Sequence, residues 1–405
     1  MDDKVKLHIA LFPWLAYGHI MPFFQVAKFL AEKGHHVYFI STPNNINRLP
    51  QIPNNLSSHL NFVQLPLPHV QGLPQGVEST ADLPIQKVPY LKQAHDLLQL
   101  PFNKLPQTFT SHLDHSRLCL LLVTQCRRST SLKLHEATVH QECMDSVSDF
   151  YRIGTVLKDC GALIVRSCPE FEPEAFTVYR KLLEKPVLPV SLLPPSLQDY
   201  TVTDGKWQVL KDWLDNKEER SVVYVALGTE LTLSQELMHE LAYGLEKSGL
   251  PFIWVVKKRP LVEGKMGSDQ VPLGFEDRVS GQGLIWMDWA PQLRILAHSS
   301  VGGFLTHSGW SSVIEALGLG RPLIMLTGGS DTGLVARMMH GRVGLEIDRD
   351  EGDGSFTSES VAKSIRRVLI ETEGEPLRAN AWAMREIFGN MELRTKYLEE
   401  VGWVH

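Results

Sequence analysis

The segment Trp289–Thr332 reads WAPQLRILAHSSVGGFLTHSGWSSVIEALGLGRPLIMLTGGSDT. Within it, the apolar runs Gly303–Thr306 and Leu323–Leu326 predict two buried strands, and the residues between them have the spacing of a helix. The segment therefore predicts a strand–helix–strand unit of a parallel sheet. Small and polar residues fill the turn from the first strand into the helix, which is where such folds bind ligands.

The same alternation of strands and helices extends along the whole chain. The other predicted strands are Leu7–Phe12, Val37–Ser41, Asn61–Leu67, Leu118–Val123, Ala162–Arg166, Val187–Val190, Val222–Leu227, Phe252–Val256 and Leu284–Met287. A helix with a broad apolar face is predicted over His19–Lys33, after the first strand. The periodicity is interrupted at about Leu193–Lys206, which contains Pro194 and Pro195. This organisation predicts an α/β fold of two doubly wound domains, with ligands at a cleft between them.

Composition narrows the class of protein. The 405 residues are enough for two domains of roughly 200 residues each. A hydrophobic content of 43% and a charged content of 21% are ordinary for a globular protein. The net charge of −6 disfavours nucleic acid as a partner, because phosphate binding needs a basic surface. No apolar run approaches the ~20 residues that a membrane-spanning helix needs.

The first residues and the cysteines predict a cytoplasmic location. The N-terminus carries charges of both signs, and the apolar stretch Leu7–Leu15 is short and interrupted, unlike a signal peptide. The five cysteines are odd in number and lack a CxxC spacing, which is typical of reduced thiols. Nothing in the sequence demands more than a monomer.

The opening segment carries polar side chains in an order that suits a nucleotide. Trp289 follows a predicted strand and can stack on a flat base, although a lone tryptophan is more often a core residue. At Thr306–Gly309 a strand turns into a helix, so that backbone N–H groups and the helix dipole can face a phosphate. His307 and Ser312 add side-chain donors. Glu315, one helical turn beyond, can accept hydrogen bonds from a ribose diol.

Taken together, in this order and spacing, these residues resemble the signature box of the plant secondary-product UDP-glycosyltransferases, which are family 1 transferases with the GT-B fold. The box is present over its full length without a gap. Further stretches that are similar to the family are His8–Ile20, Phe39–Pro43, Arg166–Glu174 and Val223–Glu230. In detail they resemble the rhamnosyltransferase-like branch, which often adds a sugar to an existing sugar of a flavonoid or terpenoid glycoside.

The resemblance implies a GT-B architecture of two Rossmann-like domains facing across a cleft. Residues 1–195 would form the acceptor-binding domain, residues 206–385 would bind the UDP-sugar, and a helix in residues 386–405 would pack back on the first domain. The implied reaction moves a sugar, with inversion, from a UDP-sugar to a hydroxyl of a small lipophilic acceptor or its glycoside. Such a plant enzyme of secondary metabolism needs no metal or other cofactor, and the UDP-sugar is a co-substrate.

The resemblance also assigns a donor site. The implied donor-binding residues are Thr229, Trp289, Ala290, Gln292, His307, Gly309, Trp310, Ser311, Ser312, Glu315, Asp331 and Thr332. Among them, Trp289 would stack on uracil and Glu315 would bind the ribose hydroxyls. His307 would bind the diphosphate, while Trp310 and Asp331 would line the sugar.

One residue at the end of the box departs from the family. The family usually has glutamine after the aspartate, whereas this chain has Thr332 after Asp331. A threonine hydroxyl does not reach the same sugar hydroxyls without a bridging water. The sequence therefore leaves open whether the donor is UDP-glucose, UDP-rhamnose or another UDP-sugar.

His19 is the candidate catalytic base. It follows the first predicted strand, and a neutral imidazole there can take the proton from an acceptor hydroxyl. From position alone, a role as the cap of a helix that starts at Ile20 is an equal alternative. The resemblance favours the base.

The family orients this base with an aspartate at the end of a later strand, and no such aspartate is found here. The sequence departs from the family over residues 115–141, and most of the length that the chain lacks relative to the family falls there. One interpretation is a sequence scar, such as a misplaced exon boundary or a frameshift, and the other is a natural short form in which Asp114 or Glu136 substitutes. We favour the scar, because a cysteine- and arginine-rich stretch is a poor core sequence.

Two further functions follow as alternatives. A catalytically impaired relative would still bind the UDP-sugar through its second half without transferring the sugar. A nicotinamide oxidoreductase on a Rossmann-like fold is disfavoured, because the chain contains no G-x-G-x-x-G phosphate loop.

Overall fold

The computed structural model describes residues 8–83, 87–103, 162–197, 205–228, 233–256, 271–327, 332–350 and 352–401, together with Lys6, Gly154, Leu157 and Leu231. The chain divides into two compact units. The first unit contains Met1–Leu193 and Glu392–His405, and the second contains Pro194–Met391. The last residues of the chain therefore belong to the same unit as the first.

Strands and helices alternate through both units. The described strands are β1 His8–Leu11, β2 His36–Ser41, β3 Leu60–Gln64, β4 Leu163–Val165, β5 Val187–Pro189, β6 Val222–Ala226, β7 Phe252–Val255, β8 Gly283–Trp286, β9 Val301–Thr306, β10 Leu323–Met325 and β11 Gly344–Glu346. The described helices of the first unit are α1 Tyr17–Glu32, α2 Pro43–Asn47, α3 Val88–Asp96, α4 Gln99–Asn103 and α5 Pro173–Leu183. Those that follow are α6 Gly205–Asp215, α7 Gln235–Ser248, α8 Phe275–Arg278, α9 Gln292–Ala297, α10 Trp310–Gly318, α11 Thr332–Met339, α12 Ser358–Leu369, α13 Glu375–Ala383, α14 Arg385–Phe388 and α15 Met391–Val401.

The first unit is built on a parallel sheet in the order β1-β2-β3, while β4 and β5 form a separate parallel pair. One face of the three-stranded sheet packs against α1, where Phe24 meets Phe39 edge to face. The predicted helix His19–Lys33 is confirmed but begins earlier, at Tyr17. The predicted strand Leu118–Val123 lies outside the described residues.

Helix α15 joins the first unit through apolar and polar contacts. Leu398 is almost completely buried in the same core as α1. The Tyr397 hydroxyl donates a hydrogen bond to the Glu170 carboxylate, with oxygen–oxygen distances of 2.8 and 2.9 Å. Lys33, the C-cap residue of α1, forms an exposed ion pair with Glu399 at 2.6 Å. These contacts tie the end of the chain to the first unit.

The second unit contains a six-stranded parallel sheet in the order β11-β10-β9-β6-β7-β8. The chain builds the β6–β7–β8 half first, then returns to the other side of β6 and builds the β9–β10–β11 half. This is the doubly wound order, in which the direction of winding reverses between β6 and β9. Both strands are buried along their whole length, as expected for central parallel strands.

The strands predicted in this unit are all present, and β11 is an additional one. The registers pair the two central strands over Val222–Ala226, and Tyr224 on β6 stacks on Phe304 of β9 with ring centroids 5.1 Å apart. Trp254 on β7 is the largest fully buried side chain of the described residues. These buried rings pack on the faces of the sheet.

Candidate functional site

The reversal point between β6 and β9 creates the candidate donor site. In a doubly wound sheet, the helices that follow two such strands lie on opposite faces, and a crevice forms outside the carboxyl ends of the strands. Gly228 lies just beyond β6, and the segment His307–Gly309 leads from β9 into α10. The residues that the signature box carries at this turn are therefore placed where doubly wound folds bind nucleotides.

The imidazole of His307 lies between two glycine backbones. A Cβ atom at Gly228 would lie 2.4 Å from Cε1 of His307, and a Cβ atom at Gly309 would lie 2.5 Å from its Nε2. Gly228 also has a left-handed backbone with φ of +67°, which favours glycine. Any side chain at either position would displace the ring, so these glycines hold His307 at the carboxyl edge of the sheet.

The turn before α10 exposes the positive end of that helix. Ser308 is buried and adopts a left-handed φ of 69°, and its N–H donates to Oγ1 of Thr306 at 3.3 Å. Gly309 is the N-cap residue and offers no side chain to the first-turn N–H groups. The helix N-terminus beside His307 favours an anion such as a phosphate.

A hydrogen-bonded cluster links α9 to α10. Nε2 of Gln292, at the start of α9, donates to Oε2 of Glu315 at 2.8 Å and contacts Oγ of Ser312 at 3.4 Å. Ser312 and Glu315 are three residues apart on α10 and so face the same side. Burial raises the pKa of the Tyr224 phenol, and the negative charge of Glu315 raises it further. The contacts of the Gln292 side chain bring three of the sequence-predicted residues, Gln292, Ser312 and Glu315, together in one cluster.

Trp289 presents its ring at the surface of the second unit. It lies between β8 and α9, and 57% of its surface is exposed. Ala290 forms the next turn, in which its carbonyl accepts the N–H of Gln292 at 2.8 Å. The exposed Trp289 indole can stack on a flat base. It lies three residues before Gln292, whose side chain binds Glu315.

The remaining predicted donor residues have varied positions. Trp310 is buried, and its ring packs edge to face on Phe388 of α14 with centroids 6.0 Å apart. Ser311 is half-buried beside it on α10, and the half-buried Thr332 opens α11. Thr229 and Asp331 lie outside the described residues. The Trp310 ring therefore belongs to the core of the second unit.

His19, the candidate base, lies in the first unit at the carboxyl end of β1. It is half-buried and is the third residue of α1, whose N-cap is Ala16. The N–H of His19 bonds to the Ala16 carbonyl at 2.9 Å, so the residue belongs to the first helical turn and does not cap the helix. His95 of α3 supports the preceding loop by stacking on Phe12 and meeting Trp14 edge to face, both at 5.1 Å. The acids Asp114 and Glu136 lie outside the described residues.

No metal-ligand group was found within the described ranges. These ranges contain no group of three or more His, Cys, Asp or Glu side chains positioned to hold a metal ion. Asp348 and Asp350 have the Asp-x-Asp spacing, but the Asp350 carboxylate accepts the N–H groups of Gly352 and Asp353 in a turn. The described helices also include none that is long and apolar enough to cross a membrane.

Three residues of this region were not predicted from the sequence. Trp286 donates its indole N–H to the Trp289 carbonyl at 3.2 Å. Asp288 accepts the Trp289 N–H at 2.8 Å and pairs with Lys206 at 2.6 Å. A second tryptophan three residues before Trp289 was the available signal, but only the folded turn shows the contact.

Comparison with solved structures defines the class of protein. The chain is similar to the crystal structure of Arabidopsis thaliana UGT89C1 complexed with UDP-L-rhamnose, with a TM-score of 0.78 and 25% identity, covering 98% of both chains. A Glycyrrhiza uralensis structure, UGT73P12, gives the same TM-score at 22% identity. The expected α/β fold with two Rossmann-like domains is confirmed, and the fold is that of the GT-B glycosyltransferases.

Sequence comparison gives the family. The family described as "UDP-glucoronosyl and UDP-glucosyl transferase" matches residues 202–374. UDP-glycosyltransferase 91C1 of Arabidopsis thaliana is 41% identical over 99% of this chain and 97% of its own length. Soyasaponin III rhamnosyltransferase of Glycine max is 36% identical over 98% of this chain and 95% of its own. The chain therefore belongs to the plant family 1 UDP-glycosyltransferases, in the rhamnosyltransferase-like branch.

Proposed function

We propose that the enzyme transfers a sugar from a UDP-sugar to a hydroxyl of a small lipophilic acceptor or its glycoside. The observation that carries the proposal is the meeting of Gln292, Ser312 and Glu315 beside the His307 turn, at the reversal point of the six-stranded sheet. Related structures that are described as complexes with UDP or UDP-L-rhamnose support a UDP-sugar as the donor.

The donor fits the second unit as follows. Trp289 stacks on uracil, and the Glu315 carboxylate accepts hydrogen bonds from the ribose diol while Gln292 holds it in place. The diphosphate lies at the N-terminus of α10, where His307 and Ser312 donate to its oxygens. These donors and the helix dipole stabilise the charge that develops on the leaving UDP, so we propose that the reaction needs no metal.

The base acts from the first unit. The His19 imidazole accepts the proton of the acceptor hydroxyl while that oxygen attacks the anomeric carbon. Attack from the face opposite UDP inverts the configuration of the sugar. The position of His19 in the first turn of α1, behind a loop that is packed on His95, supports this role because a base must be held rigidly.

Glycosides are the acceptor class that we propose. Relatives that are named soyasaponin III rhamnosyltransferase and mogroside IIIx synthase are 36% and 31% identical to this chain. Their names support terpenoid glycosides as the first acceptors to test, followed by flavonoid glycosides. The donor sugar stays open, because Thr332 opens α11 where the family has glutamine.

A catalytically impaired relative that binds UDP-sugar is the second candidate. The alignment with UDP-glycosyltransferase 91C1 spans 456 positions against the 405 residues of this chain, so at least 51 positions of that relative have no counterpart here. The aspartate that orients the family's base is also missing from the sequence pattern. A chain of this kind would keep its donor site and lose transfer.

The experiment is a UDP-release assay with the purified protein, UDP-glucose or UDP-rhamnose, and a panel of terpenoid and flavonoid glycosides. We expect turnover that His19→Ala abolishes while UDP binding, measured by calorimetry, is unchanged. The exposed His69 is the matched control, and His69→Ala should keep the parent rate. UDP binding without any turnover would establish the impaired relative, and absence of UDP binding would refute both candidates.

A further inference from the structure

The exposed indole of Trp289 needs a support that the family signature does not explain. More than half of its surface is exposed, and it lies in the short connection between β8 and α9. An exposed side chain on a connection loses conformational freedom when a ligand stacks on it, and this cost weakens binding. A connection whose backbone is already fixed avoids part of that cost.

Both backbone polar groups of Trp289 are bound by side chains. The carbonyl accepts the indole N–H of Trp286 at 3.2 Å, and the N–H donates to Oδ1 of Asp288 at 2.8 Å. The other carboxylate oxygen of Asp288 accepts from Nζ of Lys206, on α6, at 2.6 Å. The Trp289 peptide groups are thus held from both sides.

The support is anchored in the sheet. Trp286 is the last residue of β8 and pairs with Val255 of β7, and its own carbonyl accepts the N–H of Val256 at 2.9 Å. The indole that binds Trp289 therefore belongs to a residue of β8, whose backbone is fixed by the hydrogen bonds to β7. On the other side, the carbonyl of Ala290 binds the N–H of Gln292 at 2.8 Å and closes the turn into α9.

We propose that Trp286 and Asp288, with Lys206 holding the carboxylate, are positioning residues that fix the Trp289 backbone and so place its ring for the base of the donor nucleotide. This inference rests on the proposed function, because it takes Trp289 as the stacking residue. The three residues do not touch the donor. They act through Trp289 alone, so their removal weakens recognition of uracil and leaves the diphosphate contacts intact.

The primary variant is Trp286→Phe, which keeps an aromatic ring but removes the N–H donor and reduces the size of the ring system. Loss of one hydrogen bond that orders the site should weaken UDP binding by about fivefold in calorimetry. Asp288→Ala should act in the same direction. Inhibition by inorganic pyrophosphate, which carries no base, should be unchanged in both variants. Trp213→Phe is the matched control because it makes the same change on α6, the helix of Lys206, where the Trp213 ring contacts Lys217.

A double-mutant cycle with Trp289→Ala separates positioning from a general structural effect. If Trp286 acts through Trp289, Trp286→Phe should add no further loss of UDP affinity in the Trp289→Ala background. An equal loss in both backgrounds, or an equal loss of pyrophosphate inhibition, would overturn the positioning role.

The same measurements distinguish the failure of this inference from that of the proposed function. If Trp289→Ala itself binds UDP as tightly as the parent, the placement of the base is wrong and the proposed donor site fails with it. If Trp289→Ala weakens UDP binding while Trp286→Phe and Asp288→Ala leave it unchanged, only the support is refuted.

Discussion

Gly228→Ala tests how the donor site is packed around His307. The new Cβ would lie 2.4 Å from Cε1 of His307, whereas ordinary contacts of Cβ atoms begin at 3.4 Å. The ring must therefore move by about 1 Å, a displacement that can cost about a hundredfold in rate when it affects a group that positions a substrate. The left-handed φ of +67° adds a backbone cost of about 1–2 kcal/mol for any residue with a Cβ.

The two effects can be separated with a matched glycine. Gly249 has a φ of +70° and nothing within 4 Å of a built Cβ, so Gly249→Ala carries the backbone cost without the clash. Both variants should lower the Tm, and Gly228→Ala should lower it further because it adds the clash to the backbone cost. Only Gly228→Ala should lose UDP affinity, by about tenfold or more, because a displaced imidazole no longer donates to the diphosphate.

The measurements are calorimetric UDP titration and, with an active acceptor, the kcat and KM for the UDP-sugar. We expect Gly228→Ala to weaken UDP binding and to change the kcat and KM for the UDP-sugar, whereas Gly249→Ala should change none of these values. If the two variants bound UDP equally well, the His307 ring would have no part in donor binding, and our placement of the diphosphate beside it would be refuted.

Three further changes have defined expectations. Glu315→Ala should weaken UDP binding by about 1–3 kcal/mol, since the ribose hydroxyls lose their acceptor; an unchanged calorimetric affinity would mean that the ribose lies elsewhere. Burial raises the pKa of Glu346, so its ionised form opposes folding above that pKa. Glu346→Gln should therefore raise the Tm at pH 7.5 and leave it unchanged near pH 4, where the carboxyl of the unfolded chain is protonated as well; a gain that is equal at both values would contradict the assignment. Tyr397→Phe should cost about 1–2 kcal/mol through the lost hydrogen bond to Glu170, seen as a lower Tm, whereas the exposed Tyr90→Phe should not.

Much of the fold follows from local pattern. Apolar runs of four to six residues between amphipathic stretches predicted the described strands β1 to β10, because buried parallel strands have apolar side chains on both faces. The exception, β11, has only the three residues Gly344–Glu346, and a run so short gives no periodic signal. The start of α1 was predicted two residues late, because Tyr17 and Gly18 are weak helix formers that the folded loop nevertheless places in the helix.

The candidate site also has features that the sequence predicts and a feature that it does not. The order of residues in Trp289–Thr332 was enough to predict a nucleotide site and its family, since chemistry and spacing are both present in the sequence. That Trp310 buries its ring against Phe388 was not predictable, because a tryptophan suits a core and a binding surface equally well.

What the sequence by itself determined is the strands β1 to β10, the α/β class and the residue types of the donor site, all of which depend on neighbours along the chain. Only the tertiary structure decided the strand order that places β6 beside β9. From that order follow the position of His307 between Gly228 and Gly309, and the hydrogen bond from Gln292 to Glu315. The support of Trp289 by Lys206 through Asp288 likewise joins distant parts of the chain. Such contacts depend on how sheets and helices pack, and no local pattern in the sequence encodes them.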